Sequence, residues 1–475
     1  MATAPPPASA TAVPSPGGTT DGRRVPLWAG STAPISAGLR LVGAHRDRPV
    51  IWVEVDGLTR SGFVGVPLSS GTSTVAAEGA ATAVAEGLPL VMVIASSGAD
   101  IVEGIDALEG FGRLAKALAD CSGCVPTILV VDGPAVSGPA LLLGLADLVV
   151  MTERSYAFVN GPVMVEEFTG VRVSVDELGA AGSLARHAGV PSLVVADRAA
   201  ALIAVDELLT YLPASVDEVP ARLDVDDPAD RRCPEAGELI PPTSTGSYDV
   251  RAVAAAIVDD GSLLELRARW APNVVTALAT MDGRPIGVVA NQPLALAGTL
   301  DIPAAQKAAR FVACCDAFNL PLLTLVDTPG FYPGKDLEWR GMIRHGAQLV
   351  HAYARATVAR VGVILRKSYG GAYIVMDSKR MGNDVCFAWP WAELAVMGAG
   401  QAAAILQRRA TPEERAAFEA DYAQRLLNPY VAAERGYIDA VIDPAETRAE
   451  VNRALDVLAD KRESLVARKH GNEPL

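Results

Sequence analysis

Between Lys367 and Ile374 the chain reads K-S-Y-G-G-A-Y-I, directly after the apolar run V-G-V-I-L at 361–365. A buried strand that ends in two glycines and passes into a helix-compatible A-Y-I-V-M leaves bare backbone N–H groups at a helix start. Such groups hold an oxyanion, and the partial positive charge of the helix end adds to the attraction. The chemistry on offer is stabilisation of an enolate or a tetrahedral oxyanion, worth on the order of 3 kcal/mol per donor, and it needs no titrating side chain. A glycine turn that only lets a strand and a helix pack closely has the same sequence, so the surroundings decide.

Those surroundings repeat. About forty residues before Gly371 lies the strand-to-loop signal LLTLVDTPGFYPG (322–334), and some twenty-seven after it comes LAVMGA (394–399). The first half has the same layout in LVMVIASSGAD (90–100), ILVVDGPAVSGPALLLGLAD (128–147) and YAFVNGP (156–162). One strand–loop–helix plan used twice predicts two related domains, each presenting a glycine turn.

Other chemistries lack their residues. G-F-Y-P-G-K (330–335) is one spacer short of a phosphate loop, and Asp336 stands where Ser or Thr should follow Lys335. There is no G-x-S-x-G elbow and no G-x-G-x-x-G after a strand. The five histidines show no metal-ligand spacing, and His345 and His351 read as positions on a helix face. Cys121 and Cys124 form the only C-x-x-C, but the pair ends a helical segment instead of opening one, so it reads as a turn.

Composition sets the frame around these motifs. With 475 residues and 50% hydrophobic content, the chain can fill two cores, and abundant Ala, Val and Leu suit α/β layers. A net charge of −14 argues against nucleic acid or an anionic membrane as partner. Six cysteines make no disulfide framework, no apolar run is long enough to span a bilayer, and no signal segment is visible, so a cytoplasmic protein is expected. Residues 1–24 read as a disordered tail, 25–225 as a first domain, 226–246 as a linker rich in Pro, Asp, Ser and Thr, and 247–475 as a second domain. A helix is predicted over 303–318, with Asp301 as N-cap, Pro303 in its first turn, and Asn319 and Pro321 beyond its end.

Several blocks of the second half occur together and in order: A-N-Q-P (290–293), K-A-A-R-F (307–311), D-T-P-G-F-Y-P-G (327–334), R-K-S-Y-G-G-A-Y (366–373) and A-W-P-W-A-E-L-A-V-M-G (388–398). In these blocks, and in the terminal H-G-N-E-P-L, the chain closely resembles the carboxyltransferase (β) subunits of biotin-dependent acyl-CoA carboxylases. The likeness is strong in the second half and weaker in the first. It implies an α/β chain of two tandem crotonase-like domains, each a β–β–α superhelix, and a homo-oligomer, a hexamer built as a trimer of dimers. It also implies an acyl-CoA on the first domain and carboxybiotin, carried by a partner subunit, on the second domain of a neighbouring chain.

By that resemblance the N–H groups of Gly371 and Ala372 hold the ureido oxygen of biotin, with Tyr369 and Gly370 beside them. Ile374 occupies a selector position, where an apolar residue resembles acetyl-CoA-accepting members and Asp resembles propionyl-preferring ones. The family block G-P-x-A-G-G-A appears here as G-P-A-V-S-G-P-A, which carries the thioester donors to Ser137 and Gly138. Gly98 and Ala99 fall in S-S-G-A-D-I-V-E-G (96–104), where the family's Arg is replaced by Asp100. The family's Thr-His near the end of this domain is replaced around Ser183 and Leu184.

Neither an ATP-grasp biotin carboxylase nor a biotin-bearing lysine segment is visible, so a biotin carboxylase/biotin carrier α subunit is the expected partner. No covalently bound cofactor and no metal are expected in this chain. The expected activity is transfer of a carboxyl group to acetyl-CoA, with propionyl-CoA as second substrate. Two alternatives remain at this point: a non-catalytic β-like subunit of a mixed ring, and a biotin-dependent malonyl- or methylmalonyl-CoA decarboxylase subunit.

Overall fold

A computed structural model describes residues 25–26, 35–42, 48–55, 65–243 and 245–474; the tail expected over 1–24 lies outside the described residues. Apolar runs of five to ten residues form strands buried along almost their whole length, as mainly parallel sheets covered on both faces require.

The first sheet is built from β1 (Val25–Pro26), β2 (Ile35–Val42), β3 (Arg48–Val55), β4 (Leu90–Ser96), β5 (Thr127–Val136), β6 (Leu148–Thr152), β7 (Tyr156–Phe158) and β8 (Leu193–Val195). Its spatial order is β1-β2-β3-β4-β5-β6-β8, with β7 pairing to the far end of β5. The second sheet uses β9 (Leu264–Leu266), β10 (Val274–Met281), β11 (Arg284–Asn291), β12 (Leu322–Thr328), β13 (Arg360–Tyr369), β14 (Val385–Ala388), β15 (Glu393–Ala395) and β16 (Ala440–Val441). Its order, β9-β10-β11-β12-β13-β14-β16 with β15 on β13, is the same plan strand for strand. In each sheet the first three strands pair antiparallel and the rest parallel. Even the irregularities repeat, since the β4–β5 ladder shifts between Ile94 and Ser96 and the β12–β13 ladder between Val326 and Thr328.

Helices follow the same correspondence. In the first half α1 (Ser70–Glu86) and α2 (Ile105–Cys121) cover one sheet face and α3 (Gly138–Leu145) follows β5; α4 (Arg198–Tyr211) packs on the opposite face. In the second half α5 (Ile302–Ala317), α6 (Met342–Arg355) and α7 (Gly370–Val375) take the places of α1, α2 and α3. The α5 helix agrees with the reading of 303–318: Asp301 accepts the Ala304 N–H at 3.0 Å and Pro303 lies in the first turn. One apolar cluster joins the α4-covered face of the first sheet, α4, α5 and the facing side of the second sheet. Two further cores lie under α1 and α2 and under the helices Val250–Ile257 and Thr447–Val457. Within the stretch read as a linker, Cys233, Ala236 and Ile240 are buried in the last of these cores. Among the described residues, no helix is long and apolar enough to cross a membrane.

Lys307 of α5 is only 1% exposed and donates from Nζ to the carbonyls of Val274 (2.7 Å) and Trp270 (2.9 Å), tying α5 to the start of β10. Burial pushes its ammonium down to about 8. Between that value and about 10.4 the unfolded chain holds a proton that the folded protein has released, so stability rises with pH in this window, by at most about 3 kcal/mol. Lys307→Met should remove that rise in urea midpoints compared at pH 8 and pH 10. An unchanged slope would show that the carbonyls keep the ammonium charged.

Candidate active site

Each half ends its central strand in a turn, and each turn meets a loop from the neighbouring strand. In the first half the loop is Ser96–Ala99, where the Gly98 N–H donates to Ser96 Oγ at 3.3 Å. In the second it is Thr328–Phe331, where the Gly330 N–H donates to Thr328 Oγ1 at the same distance. Beyond the loop the chain pairs briefly with the residues preceding α1 or α5. The Asp100 N–H donates to the Leu68 carbonyl (3.0 Å), and the Tyr332 N–H to that of Leu300 (2.9 Å). Because alternate N–H groups of a strand point to opposite edges, this pairing aims the N–H groups of Ala99 and Phe331 away from their partner strand.

The turns themselves align through the short strands beside them. Val136 pairs with Phe158 and Tyr369 with Ala395, so Ser137 corresponds to Gly370, Gly138 to Gly371 and Pro139 to Ala372. Gly370 has φ +58° and Ser137 φ +62°, a backbone shape that bends the strand sharply into the helix. Loop and turn touch in both halves. A Cβ on Gly98 would lie 3.9 Å from the Ser137 Cβ, and one on Gly371 would lie 3.4 Å from the Phe331 ring. Gly138 is packed as closely, with the Phe111 ring of α2 3.0 Å from where its Cβ would be.

The residues named as candidate oxyanion and substrate contacts therefore lie at one of two places. Gly98, Ala99, Ser137 and Gly138 gather at the first turn; Tyr369, Gly370, Gly371, Ala372 and Ile374 form the second. Gly371 and Ala372 lie in the first turn of α7, where N–H groups have no intrahelical acceptor, and Ile374 is half exposed on the same helix. One assignment changes. The Ser137 N–H donates to the Phe158 carbonyl at 2.9 Å, so β5–β7 pairing consumes it and it is not available to an oxyanion. Pro139 has no N–H at all, so the backbone N–H groups gathered at the first turn are those of Gly138 and Ala99. The Phe331 N–H, aimed toward the second turn's side of the loop, is a group that sequence reasoning missed; its signal was the parallel between S-S-G-A and T-P-G-F.

Around the second turn the side chains fix geometry through paired and bonded polar groups. The Tyr369 hydroxyl donates to the Glu393 carboxylate, and burial, then that bond, raises its pKa so that it stays a neutral phenol. Burial, then the neighbouring Arg366, lowers the Lys367 ammonium. Asp327, at the end of β12, is buried and accepts from the Tyr248 hydroxyl (2.8 Å), Arg366 Nε (3.0 Å) and the Lys367 N–H (3.1 Å). Arg366 in turn donates to the carbonyls of Gly246 (2.8 Å) and Thr243 (3.1 Å). The segment between the halves is thereby bolted to the strand that carries the turn.

Comparison with known proteins agrees with this architecture. A family model described as "Carboxyl transferase domain" matches residues 61–473. The propionyl-CoA carboxylase beta chain of Saccharopolyspora erythraea is 46% identical over 412 residues, covering 82% of this chain and 75% of that one. The methylmalonyl-CoA carboxyltransferase 12S subunit of Propionibacterium freudenreichii subsp. shermanii is 42% identical over 408 residues, or 85% and 78% of the two chains. A crystal structure of transcarboxylase 12S, described as a hexamer assembly with methylmalonyl-coenzyme A and methylmalonic acid bound, aligns with TM-score 0.89 and 39% identity over 93% of this chain and 85% of that one. With two matching crotonase-like halves, a turn and a loop at the end of each central strand, and these relatives, the chain belongs to the carboxyl transferase family, the β subunits of biotin-dependent acyl-CoA carboxylases.

Proposed function

We propose that the chain transfers a carboxyl group from biotin on a partner α subunit to the α-carbon of a short acyl-CoA, working in a hexamer. The observation that carries this reading is the repeated pairing of loop and turn, which gives one chain two separate sets of oxyanion donors. Carboxybiotin supplies the activated carboxyl group. The second turn suits its flat ureido ring: the floor is bare backbone at Gly371, and a Cβ there would come within 3.4 Å of Phe331. Gly371 and Ala372 hold the ureido oxygen. At the first turn Gly138 and Ala99 hold the thioester oxygen as negative charge develops on it, which favours passage of the α-proton to the ureido group of biotin, which would take it once its carboxyl group has left. Neutral Tyr369 and its bond to Glu393 hold the strand end in place without offering a competing base.

The relatives named above are propionyl- and methylmalonyl-CoA proteins, whereas apolar Ile374 favours acetyl-CoA. Both acyl groups belong in the test. The purified chain, a biotinylated α subunit, ATP and bicarbonate should carboxylate acetyl- or propionyl-CoA, and Ile374→Asp should raise the propionyl-to-acetyl ratio of kcat/KM. No product from any acyl-CoA despite complex formation would overturn catalysis and favour the non-catalytic β-like subunit. A second reading, decarboxylation, draws on the methylmalonyl-CoA decarboxylase subunit alpha of Veillonella parvula, 40% identical over 390 residues and 82% of this chain. Carbon dioxide release from malonyl- or methylmalonyl-CoA, with no carboxylation under ATP and bicarbonate, would establish it.

A further inference from the structure

Ser137 holds a backbone conformation, φ +62° and ψ −120°, that side chains strongly disfavour. Gly104 has nearly the same angles, +58° and −123°, and is glycine; the corresponding position of the second turn is Gly370. A serine kept here carries strain that glycine would relieve.

Its hydroxyl does none of the usual work. Ser69, Ser174 and Thr411 precede helices with extended backbones, and each accepts a helix N–H, from Thr72, Glu177 and Glu414 respectively. Ser137 also precedes a helix, but with φ +62° in place of their extended backbone, and its side chain makes no capping bond. Its Cβ instead stands over Gly98, at the junction between the loop bearing Ala99 and the helix start bearing Gly138. The first turn also has a deficit that the second lacks: Pro139 occupies the place of Ala372 and brings no N–H.

We infer that the Ser137 hydroxyl is a catalytic hydrogen-bond donor to the thioester oxygen of the acyl-CoA, standing in for the N–H absent at Pro139. The inference rests on the carboxyl-transfer reading for the identity of the ligand. An O–H on a short side chain replaces a fixed backbone N–H, so the first turn presents Gly138, Ala99 and Ser137 to the oxygen.

Ser137→Gly and Ser137→Ala test this beside the wild-type chain in the reconstituted carboxylase. Both variants should lower kcat/KM for the acyl-CoA at least tenfold, with kcat falling more than KM rises, and both should weaken acyl-CoA binding to the isolated chain at least threefold by calorimetry. Ser137→Gly should also raise the thermal unfolding midpoint, while Ser137→Ala, which keeps a Cβ at positive φ, should not. Lower activity in a more stable protein separates a chemical role from a structural one. Wild-type kcat/KM in Ser137→Gly would overturn the inference. Should the wild-type chain itself transfer no carboxyl group, the carboxyl-transfer reading falls and the catalytic role of Ser137 with it, and the binding titrations decide its bond to the acyl-CoA alone: equal affinity in all three proteins overturns that bond, and weaker affinity in both variants upholds it.

Discussion

Ala372→Pro should lower carboxyl transfer by roughly 10²- to 10³-fold while leaving the fold intact. The substitution removes one N–H from the second turn and nothing else of chemical importance. The protein itself shows that proline fits there, because Pro139 occupies the corresponding place after the same bend and the same following glycine. Proline is also tolerated in the first turn of a helix, where its missing N–H has no intrahelical acceptor. The measurement is carboxyl transfer from a charged carrier, together with the unfolding midpoint. Near wild-type turnover in a folded variant would remove Ala372 from the chemistry and leave Gly371 and Phe331 as the donors at that turn.

The second large effect is on stability. Asp327→Asn should cost about 3–5 kcal/mol, because it strips the counter-charge from buried Arg366 without giving that guanidinium access to water. Tyr248 and the Lys367 N–H also bond to this carboxylate, so the loss reaches both the segment between the halves and the strand below the second turn. Urea unfolding at pH 7 reads it directly. A loss below about 1 kcal/mol would mean that the carbonyls of Thr243 and Gly246 alone hold Arg366 in place.

Much of the fold could be read from local signals. The periodic spacing of strand, loop and helix announced the repeat, and the Asp301 cap with Pro303 fixed the start of α5 almost to the residue. The K-S-Y-G-G-A-Y-I turn was legible because glycine pairs after an apolar run have few structural uses. What stayed hidden depends on partners far away in the chain. That the Ser137 N–H belongs to Phe158 follows only from the pairing of β5 with β7, and no pattern around Ser137 records it. The direction of the Phe331 N–H is set by the pairing of Leu300 with Gly330 and Tyr332, which the likeness of T-P-G-F to S-S-G-A only hints at. Residues 226–246 look like a linker because Pro, Asp and Ser dominate them, yet a few apolar residues, Cys233, Ala236 and Ile240, suffice to seat the stretch in a core. Asp327 and Arg366 stand thirty-nine positions apart, and only the parallel ladder of β12 and β13 makes them a pair.

The apolar cluster that runs from the first sheet through α4 and α5 to the second sheet makes each half the dry inner wall of the other. Neither half can be detached without wetting residues such as Val130, Leu208, Phe311 and Leu322, so the two should melt as a single cooperative unit. The same cluster leaves no hinge between the two turns, since opening one would have to tear a continuous core. Distance between the two turns of one chain is thus a fixed dimension of the fold.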